Sequence, residues 1–471
     1  MTNIQLSIEE QQIITSDFAH NFGVIPKNMS EDEIHFFVDK EMVFETLSEE
    51  LELILGKRVL LDAVPTEIIK KALILYYRRG DKSTGENREE ANFEISSKDF
   101  LEELIFEAKA IGSSDIHFEV YKEDSRIRYR IDGKLIEKYK IEKSNYLELV
   151  NKVKIKSNLD ITEKRLPQDG RINYEDFDIR VSILPTLHGE KIVMRILGRD
   201  TNHLSIDKLG MTSEEQGVFL KALKSSKGII LISGPTGSGK TTTLYSSLKL
   251  LNKITTNIVT VEDPIEYTLK GINQVQLRED IGLTFTSALR TFLRQDPDII
   301  MLGEIRDGKT AEMAIRASLT GHLVLSTIHT NSAMGTISRL IDMGVPAFLI
   351  AETLKISVAQ RLVRKLCNTC KEEAVTIGEE YQNSVFDILE KHWENKGCDN
   401  CHYTGYRGRT AIYEIVPIDI PLAQEIKKNS SDLGQYVSKE KYSSLSDKAI
   451  ELVKSGVTSI EEVYSLILEA Q

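Results

Sequence analysis

The sequence predicts a multidomain α/β protein built around a nucleotide-binding core, and three observations carry that expectation. Gly228-Ile229-Ile230-Leu231-Ile232-Ser233 is a short apolar, β-branched run of the kind that forms a buried parallel strand. It leads into Gly234-Pro235-Thr236-Gly237-Ser238-Gly239-Lys240-Thr241, and from Lys240 to Leu251 the residues Leu244, Leu248 and Leu251 recur at helical spacing. Strand, glycine-rich loop and helix in that order form a phosphate-binding loop in the setting such a loop requires. Finally, strand-like and helix-like patterns alternate from roughly residue 204 to 366, which predicts a parallel sheet.

With 471 residues the chain exceeds what one core can hold, and about 150 residues per domain suggests roughly three or more domains. A composition of 41% hydrophobic and 28% charged residues is that of an ordinary globular protein. The net charge of −12 argues against a protein that coats nucleic acid. Met1 to Glu10 turns acidic at once, unlike a signal peptide, and no run of 18 apolar residues occurs, so the expected location is the cytoplasm. Four cysteines in a reducing compartment are expected as metal ligands or free thiols.

Residues 1–77 read as a small, mainly α domain, with Ser7-Ile8-Glu9-Glu10 as a capping box and Val64-Pro65-Thr66-Glu67 ahead of an apolar helix from Ile68 to Tyr77. Residues 78–92 are charged and polar throughout and are expected to be a flexible linker. Residues 93–198 predict an α+β unit, with a helix near Lys98 to Ala110 and strands such as Ser125 to Ile131 and Asp178 to Leu184. The nucleotide domain spans 204–366, a cysteine module 367–408 and a helical region 409–471, the last helix opening at Ser459-Ile460-Glu461-Glu462.

In the phosphate loop, Gly234, Gly237 and Gly239 let the backbone aim its N–H groups at phosphate oxygens, with the positive helix N-terminus behind them. Lys240 is expected on the β- and γ-phosphates and Thr241 on Mg²⁺, with Thr242 beside it; Pro235, Thr236 and Ser238 complete the nucleotide-binding set. The competing reading is a glycine-rich turn with an incidental lysine. Two strand-end carboxylate clusters follow, Val261-Glu262-Asp263-Pro264 and Leu302-Gly303-Glu304, at the edge where ligands sit in parallel sheets. Strand-end acids are also often merely solvated.

His322 and His329 bracket the strand-like Leu323 to Ile328; about 23 Å apart and on opposite faces, they cannot share one metal. Either is a γ-phosphate sensor or a structural histidine. Arg126, Arg128 and Arg130 point from one face of a strand, which reads as a solvated sheet face. Arg180 and Arg195 lie on neighbouring predicted strands and Arg290 and Arg294 one helical turn apart, so each pair is able to converge on an anion. Cys367-Asn368-Thr369-Cys370 and Cys398-Asp399-Asn400-Cys401, with 27 residues between them, predict a closed tetrahedral zinc site, the rival being a redox pair.

With these motifs in place, the chain from Phe93 onward resembles the secretion ATPase superfamily, in particular the assembly ATPases of type II secretion and type IV pili. The resemblance rests on Ser113-Ser114-Asp115-Ile116-His117, Arg165-Leu166-Pro167-Gln168-Asp169-Gly170-Arg171, the phosphate loop, Val261-Glu262-Asp263-Pro264-Ile265-Glu266, Gly303-Glu304-Ile305-Arg306-Asp307, and Gly321-His322 through His329-Thr330. It implies a RecA-like ATPase core preceded by a PAS-like α+β domain, a homohexamer, and Mg-ATP bound between those two domains. It also implies Glu262 as the water-polarising carboxylate, Glu304 in the metal shell, His329 on the γ-phosphate, and Arg180, Arg195, Arg290 and Arg294 as further nucleotide contacts. Cys367, Cys370, Cys398 and Cys401 match a zinc module that retraction ATPases of the pilus system lack. The implied partners are a polytopic inner-membrane platform protein and an adaptor at the N-terminal domain, placing the chain peripherally on the cytoplasmic face of the membrane. No nucleic-acid partner is expected, the alternative being a RecA-like translocase or helicase. The Arg-Leu-Gly start of the longer family members, associated with cyclic di-GMP binding, has no match here.

Overall fold

The computed structural model describes residues 4, 6, 13–14, 18–19, 22–30, 33–40, 44–76, 100–198, 204–375, 381, 386, 389, 391–430, 433–436 and 443–468. The chain divides into two compact units, Met1–Glu94 and Ile95–Gln471.

In the first unit, β1 (Val24–Met29) pairs antiparallel with β2 (Glu33–Asp39), which pairs in parallel with β3 (Arg58–Val64). Two helices, α1 (Phe44–Leu55) and α2 (Thr66–Tyr76), accompany this sheet. Among its described residues the unit is therefore mixed α/β and not mainly α. The reason lies in Ile34-His35-Phe36-Phe37-Val38 and Val59-Leu60-Leu61, runs of aromatic and branched residues whose Ile34, Phe36, Val38 and Val59 fill a common core. The second helix begins at Thr66, two residues ahead of the expected Ile68, while the Ser7 box and the 78–92 linker lie outside the described residues.

The second unit opens with α3 (Phe100–Ala110) and a six-stranded antiparallel sheet: β4 (Asp115–Val120), β5 (Ser125–Ile131), β6 (Lys134–Ile141), then α4 (Lys143–Lys156), β7 (Gln168–Asn173), β8 (Phe177–Thr186) and β9 (Gly189–Gly198), in the spatial order β6-β5-β4-β9-β8-β7. Strict alternation gives this sheet two chemically distinct faces. Ile116, Phe118, Ile127, Tyr129, Ile179, Val181, Ile192 and Met194 face α3 and α4 and form the core with Leu104, Ile105, Leu149 and Val153. The opposite face carries Asp115, His117, Glu119, the β5 arginines, Arg180 and Arg195.

The nucleotide core follows α5 (Ser213–Leu223). Its sheet comprises β10 (Gly228–Ser233), β11 (Ile258–Glu262), β12 (Asn273–Gln276), β13 (Ile299–Leu302), β14 (Leu323–Ile328), β15 (Leu354–Leu366) and β18 (Tyr406–Pro417), in the order β12-β11-β13-β14-β10-β15-β18. All neighbours are parallel except β15 and β18, which run antiparallel. The central strand β10 is buried along its whole length, as its unbroken apolar run requires. The helices α6 (Lys240–Leu251), α7 (Phe285–Phe292), α8 (Gly308–Leu319), α9 (Ala333–Asp342) and α10 (Ala347–Thr353) connect the strands. Beyond it, β16 (Lys371–Ala374) pairs with β17 (His392–Asn395), and α11 (Ile420–Lys427), α12 (Leu445–Lys454) and α13 (Ile460–Leu468) close the chain.

Residues 409–417 thus belong to a strand of the nucleotide sheet, and the helical region starts after them. Their nearly continuous apolar run, broken only by Glu414 and with Ala411 to Val416 all buried, suits an edge strand covered on both faces. Ser459 caps the last helix from only one side: its hydroxyl accepts from Glu462 N, whereas the Glu462 carboxylate is drawn away to Arg364, whose Nε lies 2.8 Å from it. Among the described residues no helix is long and apolar enough to cross a membrane.

Candidate active site

Strand order decides which residues meet. The carboxyl ends of β13, β14 and β10 are neighbours, so the residues that follow them, Glu304, His329 and the phosphate loop, gather at one edge of the sheet. The loop turns on glycines: Gly234 and Gly239 have φ of +146° and +87°. A Cβ at Gly234 would lie 2.5 Å from the carbonyl of Gln360 on β15, so neither conformation nor space admits a side chain there. The Lys240 ammonium donates to the carbonyls of Gly234 (2.7 Å) and Pro235 (2.9 Å), which holds it at the mouth of the loop. Burial lowers its pKa, with the nearby Arg361 acting in the same sense and Glu304 opposing both. Thr241 is exposed at the first turn of α6.

Glu304 is the carboxylate of this cluster. It faces His329 Nε2 at 3.1 Å and is held by the Arg306 guanidinium, which also reaches Asp263 at 3.7 Å. Glu262 sits differently. It is 3% exposed and points into the core, where Oε1 accepts from Thr260 Oγ1 at 2.6 Å and Gln274 Nε2 at 3.1 Å, and Oε2 accepts from the Tyr245 phenol. Tyr245 lies on α6, so a helix that begins at the phosphate loop reaches across to the end of β11.

The preceding sheet contributes the arginines. Arg171, Arg180, Ser182, Val193 and Arg195, together with Pro264 of the loop after β11, line a cavity of about 510 Å³. Arg180 Nη2 donates to the Ile265 carbonyl at 2.6 Å and Nη1 lies 3.7 Å from Glu266, so this arginine joins the two sheets. Arg195 donates from Nε to Asp115 Oδ1 at 2.8 Å, a bond that raises its pKa further against the opposing effect of burial. By contrast, Arg290 and Arg294 are exposed at the end of α7, where Arg294 Nη1 donates to the Arg290 carbonyl at 3.2 Å. The β5 arginines are ion-paired: Arg126 and Arg128 bind the buried Glu119 at 2.9 and 2.6 Å. His322 bonds to the Ala317 carbonyl at 2.8 Å, at the other end of β14 from His329.

The four cysteines converge, their sulfurs all within 4.8 Å of one another. The Cys367–Cys398, Cys370–Cys401 and Cys398–Cys401 Sγ distances are 3.8, 3.7 and 3.8 Å. A tetrahedron with metal–sulfur bonds of about 2.3 Å has edges of about 3.8 Å, whereas a disulfide needs about 2.05 Å. Backbone N–H groups of Cys398 and Gly405 point at Cys401 Sγ, as in a thiolate knuckle.

Three residues at this site carry no role in the sequence reading: Arg306, which clamps Glu304; Gln360, which accepts from Thr243 at 2.8 Å; and Arg361, which bonds to the Asn331 carbonyl at 3.0 Å beside the loop. Arg306 was within reach of sequence reasoning, two residues after Glu304. Gln360 and Arg361 were not, because only the pairing of β15 with β10 brings them there.

Fold and site together define a phosphate-loop nucleotide-binding protein of parallel α/β type. The chain belongs to the type II/IV secretion system protein family, whose model matches residues 89–465, and its relatives place it among the secretion ATPases. It is 45% identical over 372 residues to the type IV pilus assembly ATPase PilB of Myxococcus xanthus, covering 76% of this chain and 66% of that protein. Against the type II secretion system ATPase E of Vibrio cholerae the identity is 44% over 380 residues, covering 78% and 74%. Among solved structures, the pilus retraction motor PilT with bound ADP matches at a TM-score of 0.54 and 27% identity, covering 78% of this chain and 96% of that one. The Legionella pneumophila ATPase DotB shares the fold at a TM-score of 0.59 and 20% identity, covering 79% and 96%.

Proposed function

We propose that this protein is a cytoplasmic, hexameric motor that hydrolyses ATP to drive assembly of a type IV pilus or a type II secretion pseudopilus. The observation that carries the proposal is a phosphate loop with the Glu304–His329 pair on one sheet, and an arginine-lined cavity on the antiparallel sheet before it. Nucleotide read by both would couple the γ-phosphate to closure of one sheet on the other. The relatives named for pilus assembly and type II secretion supply the direction of the work.

In this reading Lys240 leaves the loop carbonyls for the β- and γ-phosphates, and His329 donates to the γ-phosphate while Glu304 orients it. An exposed threonine hydroxyl and a carboxylate are the oxygen donors Mg²⁺ prefers, so Thr241 with Glu304 in the outer shell would hold the ion, which neutralises phosphate charge. Glu262 would polarise the attacking water only after turning out of its core bonds to Thr260, Gln274 and Tyr245, and Arg180, once it leaves Ile265 and Glu266, would join Arg195 in stabilising charge on the transferred phosphoryl group. Arg290 and Arg294, exposed on the chain, serve a neighbouring subunit's nucleotide. The cysteine set fits zinc in geometry and in donor chemistry, with no open position, and its role is structural. The N-terminal unit meets an adaptor, and the nucleotide core meets a polytopic platform protein at the cytoplasmic face of the membrane.

Phosphate release by the purified chain across a concentration series tests the proposal. Turnover rising with assembly is expected, with a fall of at least ~100-fold in Lys240→Ala and in Glu262→Gln. Concentration-independent turnover, or wild-type rates in Lys240→Ala, overturns it.

A further inference from the structure

The register of the first sheet in the second unit sets five charged residues in one transverse row. Arg130 pairs with Asp115, Asp115 with Arg195, Arg195 with Arg180 and Arg180 with Arg171. Adjacent guanidinium groups across strands repel. One carboxylate stands among the four, and its surroundings are built around it. Asp115 is 5% exposed; Ser114 Oγ donates to Oδ2 at 2.9 Å, Arg130 Nε lies 3.6 Å from the same oxygen, and Oδ1 accepts from Arg195 Nε at 2.8 Å.

The contact with Arg195 is side-on. Nε is engaged, while neither Nη group has a partner among the described residues, and the side chain is 59% exposed at the cavity wall. A guanidinium held at Nε has its plane fixed and its terminal fork open to an anion. Arg180, next in the row, has both Nη groups turned to Ile265 and Glu266 instead.

We infer that Asp115 is a positioning residue for Arg195, holding the guanidinium so that its Nη fork meets the terminal phosphate of ATP. This assigns a task to the Ser113-Ser114-Asp115 motif, and it rests on the reading of Arg195 as a nucleotide contact. In this role Asp115 itself would touch neither nucleotide nor metal.

A double-mutant cycle tests it, with ATP turnover and ADP affinity measured in the full chain and in Asp115→Asn, Arg195→Ala and the double variant. Loss of a charge-assisted bond that orients a transition-state contact is expected to lower kcat about tenfold in Asp115→Asn, to change the ATP KM by less than about threefold, and to leave ADP affinity unchanged. In the Arg195→Ala background the same substitution is expected to do nothing further. Additive losses, or equal weakening of ADP and ATP, would mean that Asp115 only holds the sheet together, and would overturn the inference while the reading of Arg195 stands. Wild-type turnover in Arg195→Ala would instead overturn that reading, and the inference with it. Should Asp115→Asn fail to fold, Ser114→Ala frees Oδ2 more gently: a fall of about twofold to threefold that vanishes beside Arg195→Ala supports the inference, and unchanged turnover overturns it.

Discussion

The phenol of Tyr245 meets the carboxylate of Glu262 in the interior. Burial first, and then the charge and hydrogen bond of Glu262, push the tyrosine far above its ordinary pKa, so it remains a donor throughout the working range. Tyr245→Phe keeps the ring packing and strands one carboxylate oxygen, a loss of about 1–3 kcal/mol. Denaturant unfolding is expected to show that loss, and an unchanged midpoint would mean the bond contributes nothing. Turnover read on the same variant is expected to change, since one Glu262 oxygen then loses the partner that holds it in the core; identical turnover would count against a catalytic Glu262. The residue pattern alone showed a strand-end glutamate, and only the family resemblance attached a role to it. Its inward aim depends on Gln274 and Tyr245, which β12 and α6 bring to it from either side along the chain, and no local pattern records that.

At the scale of elements, alternation along β5 and β8 was legible residue by residue, because a sheet with one buried face admits only one phase. The arginines on the second face looked solvated in sequence, since their partner Glu119 stands on a strand the pattern does not pair with them. Burial alone would raise the Glu119 carboxyl, but hydrogen bonds from Arg128 and Arg126 outweigh it and lower it from 4.5 to about 2. A depressed folded pKa contributes stability that is full above the unfolded value and lost as pH falls through the folded one. Stability is therefore expected to decline between about pH 4.5 and pH 2 through this group, and Arg128→Ala is expected to flatten that part of the profile; a profile unchanged in the variant would remove the assignment. The cysteine knuckles were legible for a different reason: C-x-x-C spacing is itself the geometry of a two-thiolate clamp. Native mass spectrometry is expected to find one zinc per chain, lost in Cys367→Ser together with a lowered Tm, and a metal-free wild type of equal stability would rule the site out.

On the scale of the molecule, every residue assigned to nucleotide or metal lies in the unit from Ile95 to Gln471. The phosphate loop, Glu304 and His329 belong to one core, and the arginine row belongs to another, joined to the first through Arg180 and again where the Asp132 carboxylate accepts from Gly408 N at 2.6 Å. In the proposed reading, neither sheet completes the site alone. The N-terminal unit has its own core of Ile34, Phe36, Val38, Leu51 and Val59, sharing none of the residues buried around the nucleotide sheet. A chain beginning at Ile95 is therefore expected to fold, to retain its zinc and to bind ADP as tightly as the whole protein, because each core is satisfied within its own unit. Calorimetry and nucleotide titration on that fragment give the measurement. A fragment that is insoluble, or that binds ADP more than about tenfold more weakly, a difference of about 1.4 kcal/mol, would mean that the first unit completes the site and does not merely carry a partner to it.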